Sequence, residues 1–567
     1  MGSALSRRRM LGSLAGGALL LGTATAPRSH AAPRSHAAPR SHAAPRSHAA
    51  PGRRLPDPGI ITATDPALLS AVEAASLLHA GQLHPRELLD ACLARTREFD
   101  GAIGAWIRLY PEFAYAGADE AGERLAQARN DGTPAPDVCG LPIALKDLFA
   151  VSGLPLTASS RVLEGNIAAG NSGVWSKLED AGAVLMGHAH TDEFAIGVAT
   201  PQVGNPWNTD MSPGGSSGGS AAVLAARFAP LAVGSDTGGS VRLPASVCGI
   251  SSIKPTYGRI TSHGMIPLTW TRDHVGPMGR SLADASLMMS ILATVDADDP
   301  ITALGPPVPA GGYPLTAKGG STPLAGVRLG LPPSELPPPL QTLFDDTIQV
   351  ARSLGAQIVP VVMPPTPTSL VTGDVVEMGS YHRQFADRIG LYRPERVPSV
   401  GTAVASLAVP VVDYLMLERD RLRYQVDYNR LFVDSDLDAV LIPGTRVDGA
   451  QREEFLGVSV TEGVMGDVKW ANYSGAPVVT LPVGRSSATG MPFGVQLGAR
   501  PWQDERIIEI GLELQEALPA WRDVPDLVPS AGTAPEVAQV APGPGPDPTN
   551  TLDAAAPLRT PPMNAIR

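Results

Sequence analysis

Two apolar rhythms alternate along the middle of this chain. After Asp65 and Pro66, "ALLSAVEAASLLHAG" places apolar residues at helical spacing, with Asp65 as cap and Pro66 at the first helical position. "HPRELLDACLARTREFDG" repeats that grammar, predicting a second helix. The rhythm then changes to a short apolar run, "GLPIALKDLF", which predicts a buried strand carrying one lysine, Lys146. "VWSKLEDAGAVLMG" and "SAAVLAARFAPLAVG" each predict a helix followed by a strand. Further strands are expected at "VRLGLP", "AQIVPVVM", "LDAVLIPG", "APVVTLPVG" and "FGVQLGA", and helices around 337–354, 409–430 and 504–517. Apolar strands alternating with helices indicate an α/β sheet covered on both faces. No composition break interrupts residues 60–530, so a single large domain is expected there.

The two ends read differently. "SRRRMLG" precedes the short apolar run "SLAGGALLLGTATA", a positive segment followed by a stretch too short to span a bilayer. With Arg7 and Arg8 as a pair it resembles a twin-arginine export signal over residues 1–26, so export is expected, without a stable membrane anchor. Pro27 follows the Ala24–Ala26 site directly, which is unfavourable for cleavage at that point. Residues 27–59 hold "PRSHAA" four times and read as a low-complexity linker. Residues 531–567 are Pro-rich and aperiodic, which predicts a disordered tail.

Charge and cysteine content narrow the chemistry. The net charge of −11 over 567 residues argues against nucleic acid as a partner. Cys92, Cys139 and Cys248 match no metal-ligand spacing and no disulfide framework, and are expected to be small buried residues.

Three features remain: Lys146, the turn "SPGGSSGGS" at 212–220 and the turn "GSDTGGS" at 234–240. A buried ammonium is costly unless paired or neutral, so on its own Lys146 could reach solvent or pair with Asp147. Gly214-Gly215-Ser216-Ser217-Gly218 also satisfies the G-x-S-x-G elbow of an α/β-hydrolase, with Ser216 as nucleophile. That reading needs a late histidine, and His263, His274 and His382 all precede the final strands.

Taken together, "GLPIALKDLF", "PGGSSGGSAA" and "GSDTGGSVRLPASVCGISSIKPTYGRI" closely resemble the central motif of the amidase signature family. The resemblance extends through "RDHVGPMGRSLADAS" and "NYSGAPVVTLPVG" and covers nearly all of 60–520. It implies the amidase signature fold, a large mixed twisted β-sheet covered on both faces by α-helices. It implies Ser240 as nucleophile, Ser216 after a cis peptide bond as proton relay, and Lys146 as the base. A serine hydroxyl needs a base within reach, and burial moves a lysine toward the neutral form such a base requires. The backbone N–H groups of Thr237, Gly238, Gly239 and Ser240 are expected to form the oxyanion hole. Ser217 is expected to hold its turn, and Asp236 with Arg242 to form a buried ion pair that fixes the loop.

The function expected is that of an exported amidase hydrolysing apolar, aryl or peptide-type carboxamides, with side activity on esters. Its partner is a small-molecule amide, and no metal or organic cofactor is called for. The alternatives are a Ser216 esterase, a non-catalytic binding module and an amidotransferase-like subunit. His188, His190 and Asp192 alternate like metal ligands but are read as structural, although the family often carries asparagine where His190 stands. Gln496 is read as structural too. The acyl pocket is expected from parts of 370–470, without an obvious charge-reading pair.

Overall fold

The computed structural model describes residues 55, 56, 63–452 and 468–529. The export-signal, linker and tail expectations therefore lie outside, or almost wholly outside, the described residues. Within them, eleven strands form one sheet. In chain order they are β1 (Trp106–Leu109), β2 (Pro142–Lys146), β3 (Val184–Ala189), β4 (Leu231–Asp236), β5 (Ser251–Lys254) and β6 (His274–Gly279), then β7 (Arg328–Leu331), β8 (Gln357–Pro360), β9 (Ala439–Pro443), β10 (Val478–Arg485) and β11 (Pro492–Gly498). Across the sheet the order is β1-β3-β2-β4-β6-β5-β10-β11-β9-β7-β8. It is mixed: β2 runs parallel to β3 and β4, β7 is parallel to β8 and β9, and β4–β6, β5–β10 and β10–β11 are antiparallel.

Every residue of β2, β3, β4, β6 and β11 is buried. Strands buried on both faces need apolar or small residues at every position, which is why these read as runs rather than alternations. Helices flank the sheet, among them Pro111–Asp131 against β3, Gly218–Ala225 against β4 and β2, Leu282–Leu292 against β6 and Asp504–Ala517 against β10. Of the expected helices, Asp504–Ala517 keeps its bounds, and the other two appear as Pro338–Ser353 and Val411–Asp434.

One helix start differs from the expectation. Asp65 caps only a short 3-10 turn, Pro66–Leu68, and the helix proper begins at Ala71. Ser70 is its cap, in a reciprocal capping box with Glu73. That box satisfies two orphan backbone donors at once and outcompetes the upstream proline start. The second helix begins at Pro85 as expected, capped by His84.

Candidate active site

Lys146 is the last residue of β2, between β3 and β4, and has no exposed surface. Its Nζ contacts three hydroxyls: Ser216 Oγ at 2.8 Å, Ser217 Oγ at 2.9 Å and Ser235 Oγ at 2.9 Å. It neither reaches solvent nor pairs with Asp147. That carboxylate instead accepts from Thr157 Oγ1 at 2.7 Å and Ser159 N at 2.8 Å. Burial pulls the Lys146 pKa down to about 7, against the opposing pull of Asp236, Asp192 and Asp273.

The first serine turn leads into the buried helix Gly218–Ala225. The Gly215–Ser216 peptide bond is cis, as the resemblance implies. Glycines here let the turn press against its neighbours: a Cβ on Gly219 would lie 2.4 Å from the His190 carbonyl oxygen. The Ser216 carbonyl accepts from Asp192 N and Thr200 Oγ1, while Ser217 N donates to the Ser240 carbonyl at 3.2 Å. That last bond ties the two serine turns together.

The second turn leaves β4 at Asp236 and enters the helix Arg242–Cys248. Asp236 and Arg242 form the expected ion pair at 3.0 Å, both side chains without exposure. Arg242 also donates to Gln496 Oε1 at 3.0 Å and Asn472 Oδ1 at 2.8 Å, which gives Gln496 its structural role. Burial opposes ionisation of Asp236, but the Arg242 guanidinium outweighs it and holds the carboxyl well below the usual range. Asp236 Oδ1 accepts the Gly239 N–H at 2.8 Å. This bond engages one of the four expected oxyanion donors, the Gly239 amide, alongside which Thr237, Gly238 and Ser240 complete the turn.

Thr237, Gly238 and Ser240 line a cavity of about 620 Å³. Its walls carry Ile196, Val198, Leu268, Val371, Val375 and Met378. The 370–470 segment supplies much of this wall, as expected, through the helices Ser369–His382 and Val397–Ala405 and through Lys469. Two ion pairs involve lining residues: Asp374 meets Lys469 at 3.0 Å, and Arg396 meets the buried Asp192 at 2.8 Å.

The histidines are occupied elsewhere. His188 bonds Tyr110 Oη and the Phe149 carbonyl, His190 contacts Ser159 and Gln202, and Asp192 pairs with Arg396, so the alternating trio does not converge on a metal site. Burial, with help from Arg393 and Arg108, holds His190 down to about 3. His274 Nδ1 faces the Arg272 carbonyl and His382 Nδ1 faces Tyr392 Oη. Among the described residues neither these nor His263 hydrogen-bonds Ser216 or Ser240, so the triad of an α/β-hydrolase does not form. The three cysteines are free and buried.

Ser235 and Asn472 were not anticipated. Ser235 stands beside Lys146 only because β4 lies parallel to β2 in this register. Asn472 reaches the Asp236 carbonyl at 2.8 Å from 236 residues away.

Comparison with known proteins gives the family. The family model described as Amidase matches residues 87–508. The chain is 32% identical over 494 residues to a glutamyl-tRNA(Gln) amidotransferase subunit of Chloroflexus aggregans, covering 81% of this chain and 98% of that one. It is 34% identical over 500 residues to the mitochondrial counterpart of that subunit from Xenopus tropicalis, covering 78% and 93%. The peptide amidase of Stenotrophomonas maltophilia superposes with a TM-score of 0.70 at 26% identity, covering 82% of this chain and 99% of that structure.

Proposed function

We propose that this chain, which belongs to the amidase family, hydrolyses carboxamides through an acyl-enzyme on Ser240, with Ser216 and Lys146 carrying the proton. The observation that supports this best is the lysine without exposed surface, held among three serine hydroxyls and drawn toward its neutral form.

The hydrogen-bond directions favour Ser216 as the relay. A neutral amine has two N–H bonds and one lone pair. Ser217 Oγ donates its own proton to the Ser235 carbonyl at 3.1 Å, so toward Lys146 it can only accept. With the second N–H given to Ser235, the lone pair is left for the Ser216 hydroxyl. As Ser240 Oγ attacks the carbonyl carbon, its proton passes to Ser216 while the Ser216 proton passes to Lys146. The developing oxyanion is met by backbone N–H groups of Thr237, Gly238 and Ser240, each worth about 3 kcal/mol in such a role. The C–N bond then breaks as Ser216 returns a proton to the leaving nitrogen and recovers one from Lys146. Water, activated through the same relay, releases the acid.

The apolar cavity wall favours apolar, aryl or peptide-type acyl groups, and esters follow because their leaving groups need less proton donation. Export through the N-terminal segment completes the reading. The test is release of nitroaniline from acyl nitroanilides by the purified chain, lost in Ser240→Ala. The curated relatives favour a second reading, a component that works within a multi-protein complex. Turnover by the isolated chain supports the hydrolase, whereas turnover only with added partner proteins supports the second reading.

A further inference from the structure

The charged groups around the cavity are almost all matched. Arg272 is surrounded by Asp374, Glu377 and Glu418, each at 2.8 Å. Lys469 shares Asp374, and Arg421 shares Glu418, so three cations face three carboxylates in one network. Arg396 is neutralised by Asp192 at 2.8 Å. Glu395 is different. It lines the same cavity, is only half-buried, and among the described residues forms no ion pair and no hydrogen bond through its carboxylate. It lies on the turn just before the helix Val397–Ala405, whose Pro398 and Thr402 also line the cavity. Asp374, Arg396 and Lys469 in the same lining are paired, so Glu395 is the one charged group there without a counter-charge among the described residues, and an unmatched carboxylate attracts one sign of charge and repels the other.

We infer that Glu395 selects amides carrying a protonated amine, placing that ammonium against the cavity wall while the carboxamide lies at Ser240. The inference rests on the amidase reading and narrows its substrate class from apolar amides to apolar amides with a cationic end. Mobile hydration and salt weaken a half-exposed ion pair, so the gain is modest, about fivefold. Glu395 is a specificity residue: among the described residues its carboxylate hydrogen-bonds neither Ser216, Ser240 nor Lys146.

The test uses straight-chain acyl nitroanilides of increasing length, each paired with its terminal-amino counterpart. The readout is the ratio of kcat/KM for the amino compound over the neutral one, at low and high salt. In the wild type this ratio is expected to reach about fivefold at one chain length and to fall with salt. Glu395→Gln should bring it to about one and Glu395→Lys below one, whatever the absolute rates do. A ratio of one in the wild type at every length, or a ratio unchanged in Glu395→Gln, would overturn the inference while leaving the amidase reading intact. If neither series is cleaved by the wild type, the amidase reading itself falls, and this inference with it.

Discussion

Lys146 occupies a position that ordinary stability would not favour, since no carboxylate among the described residues touches its amine. Its neutral form is the one that can accept a proton, and its pKa of about 7 places the change within reach of experiment. As pH falls through about 7 the amine becomes an ammonium, its lone pair disappears, and kcat/KM for amides should fall. His382, held to about 4 by burial, and His274, held well below its ordinary value by burial and by Lys254, are already neutral there and cannot give this limb. Lys254 is held near the same value as Lys146, chiefly by burial and also by Arg242, but its Nζ donates to the Pro255 carbonyl. Lys254→Met should therefore keep the limb, whereas Lys146→Ala should cost amide turnover about 10⁴-fold or more, and ester turnover less. Rate profiles from pH 5 to 10 on a matched amide and ester check both variants against the wild type. Much of this was legible in the sequence, because a lysine inside an apolar run and two serine turns stand out locally. Ser235 and Asn472 were not, because each depends on how distant segments meet.

At the scale of elements, the loop that carries Ser240 is held between β4 and the helix Arg242–Cys248 by the Asp236–Arg242 pair. Arg242 links that loop to β11 through Gln496 and to the helix Trp470–Ser474 through Asn472. Removing one partner of a buried pair leaves the other charge uncompensated, at a cost of about 3–5 kcal/mol. Arg242→Met should lose that much in urea denaturation, and should lose turnover as well because the donors at Thr237, Gly238 and Ser240 are no longer fixed. Strands β2, β3, β4 and β7 to β11 were readable from apolar runs. Strands β1, β5 and β6 were not: β5 is "SSIK", and β6 is "HVGPMG", with two glycines and a proline that argue against a strand. The sheet supplies the missing signal, since Pro277 faces Val233 of β4 in the antiparallel register.

At the scale of the whole molecule, the site uses residues from 146 to 472, so the described sheet acts as one unit in positioning it. We propose that the N-terminal segment carries the chain across a membrane and that its PRSHAA repeats, which have no apolar face, then act as a link. Deleting residues 1–50 should leave kcat of the purified protein unchanged, and should keep the protein inside the cell when the deleted and full-length forms are fractionated in parallel. The most direct check on the whole account is covalent labelling with a fluorophosphonate, read by intact mass and peptide mapping. One adduct per chain, located on Ser240 and absent from Ser240→Ala and Lys146→Ala, is the predicted result. An adduct on Ser216, or labelling that survives in Ser240→Ala, would contradict it.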